Sequence, residues 1–414
     1  MPATSFANLL GVAVIAFTAP FLLGLFPRIR LPAVVLEIMA GILVGPAVLG
    51  WVRADLPVQI LATLGLAFLL FLAGMEIDFE RLRGRVARLA GLGFLASALL
   101  GLVAGYGAFA LGLVRSPILI GIILLATSLG LVVPVLKDAG EVSTPFGQLV
   151  IAAATIADFG AVILLSLFFS REASSPVAKL ILLGGFALVI GLVVTGVKRI
   201  EQAMRLSSLL VRLQDTTAEI RVRASILLLV AFTALAQKLG LETILAAFLA
   251  GATLRLIDQD QLATHRNFPL KLEAIGYGFL IPVFFVTSGL QFDLRALFAS
   301  PSSLLRLPIF LIALLAVRGL PALLYWRELG MRRAAAAGLL QATSLPFIVA
   351  ATAIGLQLRL MSPATGAALV GAGLVSVVAF PALALALVNR IPPGVGSATV
   401  LQSAKTAPRG GTSD

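Results

Sequence analysis

Polar positions in this chain are scarce and bunched. Uncharged runs of about 20 residues alternate with short stretches where Lys, Arg, Asp and Glu gather, and runs of that length and composition predict membrane-spanning helices. The pattern predicts about thirteen spans, at 6–26, 31–50, 58–76, 86–114, 116–136, 145–170, 177–197, 222–238, 241–257, 272–291, 303–326, 333–357 and 363–388. The pair within 222–257 is short and separated only by KLGL; read as one long helix, it would reverse the topology of everything after it. Residues 198–222 place apolar side chains at helical spacing between charges, which predicts an amphipathic linker helix on the membrane surface. Residues 391–414 are rich in Pro, Gly and Ser and predict a disordered tail after a transmembrane domain over 1–390.

Composition agrees with the pattern. The 414 residues are 60% hydrophobic and 12% charged, whereas soluble domains run near 25% charged. A net charge of +12 raises the question of nucleic acid, but its distribution answers it. With the loops numbered alternately, 22 of the 31 Lys and Arg fall on one side, 8 on the other, and Arg318 lies inside a span. That asymmetry follows the positive-inside rule. It predicts an outside N-terminus, a cytoplasmic C-terminus, residence in a bacterial inner membrane and no nucleic-acid partner. With no cysteine and one histidine, His265, the chain has no means for disulfides, thiol catalysis, iron–sulfur clusters or His-rich metal sites, and no cofactor is expected. The N-terminus lacks a basic n-region, so no removed signal peptide is expected, and no GxGxxG nucleotide fingerprint occurs.

The string ATSL occurs at Ala126–Leu129 and again at Ala342–Leu345, an offset of 216. Other landmarks recur nearly in step. Gly74 and Asp78 match Gly289 and Asp293 at 215, Ala40-Gly41 matches Ala250-Gly251 at 210, and Pro145 matches Pro363 at 218. They predict an internal duplication, repeat one over 31–197 and repeat two over 241–388. The copies begin at spans 2 and 9, an odd difference, so they enter the membrane from opposite sides. Inverted repeats with interrupted helices are a hallmark of secondary transporters. A helix broken within lipid frees backbone groups that must be satisfied by protein or line a cavity. Thr127, Ser128, Thr343, Ser344 and Gln341 are the candidates to line the two breaks, with Pro134 and Pro346 removing helical donors nearby. The alternative is that these hydroxyls only pack between helices as small residues.

Few ionisable groups lie deep in spans, where they mark functional sites by default. Asp158 sits near the middle of its span, Arg318 deep in another, Glu37 about two turns into the second, and Glu76 and Asp78 at a helix end. A carboxyl group in low dielectric binds a proton more readily, and a bound cation would compete for the same oxygens. Thr155, one turn before Asp158, is a candidate further ligand. An Asp158–Arg318 structural ion pair is the competing reading. Thirteen residues on from Pro145 is Asp158, whereas thirteen on from Pro363 is Ser376, so the carboxylate occurs in one copy only.

PFLLGLFPRIRLPAVVLEIMAGILVGPAVLG, LGLAFLLFLAGMEIDFERLR, AAFLAGATL and IPVFFVTSGLQFDL resemble the monovalent cation:proton antiporter superfamily, on its Kef-type and bacterial sodium/proton antiporter side. The resemblance spans nearly the whole chain. It implies an all-α fold in which two discontinuous helices cross at the midplane, a dimerisation domain in a homodimer, and a transport domain moving as an elevator. It also implies an acidic pair after the first broken helix, which here reads Ala157-Asp158, and a basic residue in the second half, which maps to Arg318. With Ala157 unable to titrate and Arg318 held protonated, one carboxylate remains to exchange one monovalent cation, Na⁺ or K⁺, for one proton. Electroneutral antiport is expected, with Glu37 or a polar group of the broken helices as partner to Arg318. Two alternatives stand beside it: a sodium-coupled symporter of an organic anion, and a Kef-like potassium-efflux system with a separate regulatory subunit. An intramembrane enzyme would need a nucleophile–base or metal constellation, and no second midplane Asp is visible to form one.

Overall fold

A computed structural model describes residues 6–25, 32–76, 84–169, 219–238, 243–257 and 267–388, with 184, 191 and 195 singly. Nearly all of the span at 177–197 and of the linker at 198–222, with the tail at 391–414 and Asp78, lie outside the described residues.

The helices are α1 (Ala7–Leu25), α2 (Ala33–Val44), α3 (Leu56–Met75), α4 (Gly84–Ala110), α5 (Pro117–Leu125), α6 (Leu129–Asp138), α7 (Pro145–Phe169), α8 (Ile220–Lys238) and α9 (Thr243–Ile257). They continue as α10 (Asn267–Ile275), α11 (Ile281–Leu290), α12 (Leu294–Phe298), α13 (Pro301–Leu314), α14 (Trp326–Leu329), α15 (Met331–Gln341), α16 (Pro346–Gln357) and α17 (Pro363–Val388). A π turn, Gly276–Leu280, joins α10 to α11. A second, Leu315–Gly319, and a 3₁₀ stretch, Leu320–Tyr325, join α13 to α14. Among the described residues 9 helices are long and apolar enough to cross a membrane. The bent pair α15–α16 adds a tenth, and α2 and α9 are shorter apolar helices. The region 222–257 forms two helices, α8 and α9, packed on each other rather than one.

The breaks fall where the sequence placed them. Ser116 caps α5 by accepting from the Leu119 amide, and α5 stops at Leu125; α6 starts at Leu129. In the second copy α15 stops at Gln341 and α16 starts with Pro346, whose missing N–H costs nothing in the first turn. Pro134 lies inside α6 rather than at the break.

The two copies carry their elements in one order: α2, α3, α4, α5–α6, α7, and then α9, α10–α11, α13, α15–α16, α17. Their packings exchange as a two-fold relation requires. The pair α2–α11 mirrors α9–α3, α4–α7 mirrors α13–α17, and α5–α7 mirrors α15–α17. The glycine landmarks are the crossing points. A Cβ on Gly41 would collide with the Val286 carbonyl beside Gly289, and one on Gly251 with the Phe71 carbonyl three residues before Gly74. The fold is thus all-α, with two inverted repeats and two crossing discontinuous helices.

Two bundles result. One holds α1, α2, α3 and α8 to α11; the other holds α4 to α7, α13, and α15 to α17. Their principal direct helix contact is α7 on α9, where the Phe159 and Phe248 rings lie 5.7 Å apart. The connector α12 reaches α17.

Candidate functional site

The two breaks touch. The Ser128 amide donates to the Thr343 carbonyl at 2.9 Å, tying one interrupted strand of backbone to the other. The Thr127 hydroxyl donates to the Gln341 carbonyl at 2.7 Å. That bond satisfies one of the C-terminal carbonyls that α15 leaves open.

Asp158, on α7, meets the first break. Its Oδ1 accepts from the Thr127 amide at 3.1 Å and its Oδ2 from the Leu129 amide at 3.2 Å. The carboxylate thereby caps α6 from another helix, at the positive end of the α6 dipole. Each oxygen keeps lone pairs for a cation or a proton. Ser376 holds the corresponding place in the second copy. Its hydroxyl accepts from the Ser344 amide at 3.2 Å, and its one proton lies between the Gly373 carbonyl at 2.7 Å and the Ser344 carbonyl at 3.1 Å. A neutral group there closes the second break on itself.

Arg318 projects from its π turn into the crossing with 1% exposure. Its Nε donates to the Thr127 hydroxyl at 2.9 Å, one terminal nitrogen to Ser97 Oγ at 3.1 Å and the other to the Ala153 carbonyl at 3.3 Å. Among the described residues no ion pair joins it to Asp158 or to Glu37. Of the partners expected for Arg318, the broken-helix hydroxyl is the one in place; Glu37 stands in the other bundle, on α2.

A cavity of about 920 Å³ opens along the boundary between the bundles. Thr127, Ser128 and Asp158 lie on its wall from one bundle, and Glu37, Glu76, Phe248 and Tyr277 from the other. Thr343, Ser344, Gln341 and Arg318 are buried behind it. Thr155 is not on the wall either: its hydroxyl turns back to the Ile151 carbonyl at 2.9 Å, as Thr in a helix interior commonly does. Ser97 carries no signal in the sequence, being a single small polar residue among many small residues of α4. For Tyr277 the one signal in the sequence is Pro282, inside a predicted span. Proline disrupts the ladder four residues earlier and so favours the wide turn that carries Tyr277.

The family model described as sodium/hydrogen exchanger, transmembrane, matches residues 13–386. The putative Na⁺/H⁺ antiporter YjbQ of Bacillus subtilis is 33% identical over 394 residues, 92% of this chain and 62% of that protein. The Na⁺/H⁺-K⁺ antiporter GerN of Bacillus cereus is 29% identical over 287 residues, covering 68% of this chain and 70% of its own length. A solved structure of a sodium/proton antiporter from Methanocaldococcus jannaschii superposes with a TM-score of 0.65 at 17% identity, over 94% of this chain and 99% of that one.

Proposed function

The chain belongs to the transmembrane sodium/hydrogen exchanger family, and from that membership we propose that it is a secondary transporter exchanging Na⁺ or K⁺ for protons. The observation that carries this reading is the Asp158 carboxylate, bonded to two amides of the first break and facing the inter-bundle cavity. Ionised, it offers oxygen to a cation; protonated, it is neutral. The two occupants exclude each other, and that exclusion couples their movements. Thr127 and Ser128 border the same space, and oxygen is the donor that hard cations take.

Arg318 keeps a fixed positive charge beside Asp158 and holds the crossing together through Thr127. One titrating carboxylate with a permanently charged arginine supports electroneutral exchange, one monovalent cation for one proton. The bundle carrying α4–α7 and α13–α17 moves as an elevator against the other, which the sparse contact between bundles supports. A homodimer in the inner membrane, N-terminus outside and C-terminus cytoplasmic, completes the reading.

The test is exchange in proteoliposomes. Asp158→Asn is expected to abolish cation-dependent proton movement with Na⁺ and with K⁺, without loss of fold. Full exchange by this variant would overturn the assignment.

A further inference from the structure

Glu37 takes no part in the Asp158 hydrogen bonds just described, yet it is the least exposed of the three carboxyl groups on the cavity wall. It lies in the first half of α2 with 5% exposure, its side chain among the groups lining the space. Among the described residues no hydrogen bond and no ion pair reaches it. Much of the wall is apolar, Val34, Leu69, Leu70 and Val283 included. Among the described residues, the titratable groups lining the cavity besides Glu37 are Glu76 at the end of α3, Asp158 on α7 and Tyr277 on the π turn, with none from α1 and no Lys, Arg or His.

A carboxylate kept only for structure is normally bonded to something. An ionised one held unpartnered among apolar side chains is strongly disfavoured, so the group must hold a proton or a cation. Within lipid such groups mark ion and proton paths. Glu37 belongs to the bundle opposite Asp158, so it faces the space the ion crosses from the far side.

We propose that Glu37 is a second cation- and proton-binding carboxylate of this cavity, a station on the wall opposite Asp158 for the ion travelling to and from it. The proposal rests on the exchange reading above. When a monovalent cation binds, the Glu37 carboxyl proton leaves to water and a carboxylate–cation pair remains; return of the proton reverses the step. One positive charge replaces another, so the station leaves the overall stoichiometry untouched.

The test reads protons released when NaCl or KCl is added to purified protein in weak buffer, with choline chloride as the ionic-strength control. Wild type, Glu37→Gln, Glu37→Asp, Asp158→Asn and the Glu37→Gln/Asp158→Asn double variant are compared. Each single neutral variant is expected to lose about half the wild-type release, and the double variant all of it. Glu37→Asp, which keeps the carboxyl group, is expected to restore the release lost in Glu37→Gln. In proteoliposomes Glu37→Gln is expected to raise the cation KM several-fold. Release by Glu37→Gln equal to wild type overturns the proposal. So does failure of Glu37→Asp to exceed Glu37→Gln, which assigns the loss to packing. Full exchange by Asp158→Asn overturns instead the reading on which the proposal rests, and is read in a separate assay.

Discussion

Thr127 joins three partners at the crossing. Its amide donates to Asp158, its hydroxyl donates to the Gln341 carbonyl, and the same oxygen accepts from Arg318 Nε. Removing that hydroxyl leaves a buried guanidinium short of an acceptor and a carbonyl short of a donor. Thr127→Val is therefore expected to cost roughly 2 kcal/mol of stability, by the usual worth of a hydrogen bond to a charged group. Thr127→Ser should keep most of it. Thermal unfolding in detergent reads the difference, and equal midpoints for wild type and Thr127→Val would remove Thr127 as the bridge. At this scale the sequence spoke through chemical scarcity. A hydroxyl pair in an apolar run, or an aspartate in mid-span, has few innocent explanations, so Thr127, Ser128 and Asp158 were legible. Ser97 was not, because one serine among glycines and alanines is ordinary. For Thr155 helical spacing fixes only which face the residue shares with Asp158. Where the hydroxyl turns is decided by the carbonyl four residues back.

Glycine does at the level of elements what the hydroxyls do at the breaks. The landmarks that revealed the duplication, Gly41 with Gly251 and Gly74 with Gly289, are places where two helix backbones pass too close for a Cβ. A further pair of contacts, Gly101 on Gly121 and Gly319 on Gly338, repeats the relation across α4–α5 and the second π turn with α15. Gly251→Ala should push α9 from α3 and cost roughly 1–3 kcal/mol by overpacking. Gly107→Ala in α4, where an added Cβ meets nothing within 4 Å, should be neutral or slightly stabilising. Detergent melting curves for the two variants test this, and equal midpoints would remove the close crossing as the reason for glycine. The helices and their breaks were legible because hydrophobic length and Pro/Ser/Thr interruptions are written locally. The π turns were not, since one added residue per turn leaves an apolar run looking unchanged. The grouping into bundles was not legible either, because it depends on which apolar faces meet.

For the molecule as a whole, the consequential feature is the seam between the bundles. Its chief helix contact, α7 on α9, includes the Phe159–Phe248 ring pair and lies beside Asp158. The chain has no cysteine, so Phe159→Cys with Phe248→Cys introduces the only two thiols. A short cleavable bifunctional reagent joining them is expected to arrest exchange, and cleavage to restore it. Undiminished exchange while the seam is joined would rule out sliding between these bundles. One last property of the crossing concerns its two charges. The duplication places Asp158 where the other copy has Ser376, and Arg318 where the other copy has Leu100, both at an offset of 218. Each repeat thus supplies one member of an opposite-sign pair, and both members ride in the same bundle. On the proposed cycle the Asp158–Arg318 pair carries one net positive charge when Asp158 holds a proton and the same charge when it holds a monovalent cation. The membrane voltage then does equal and opposite work on the two strokes. A complete turnover draws no current, while either stroke taken alone is a displacement of charge that an electrode can register.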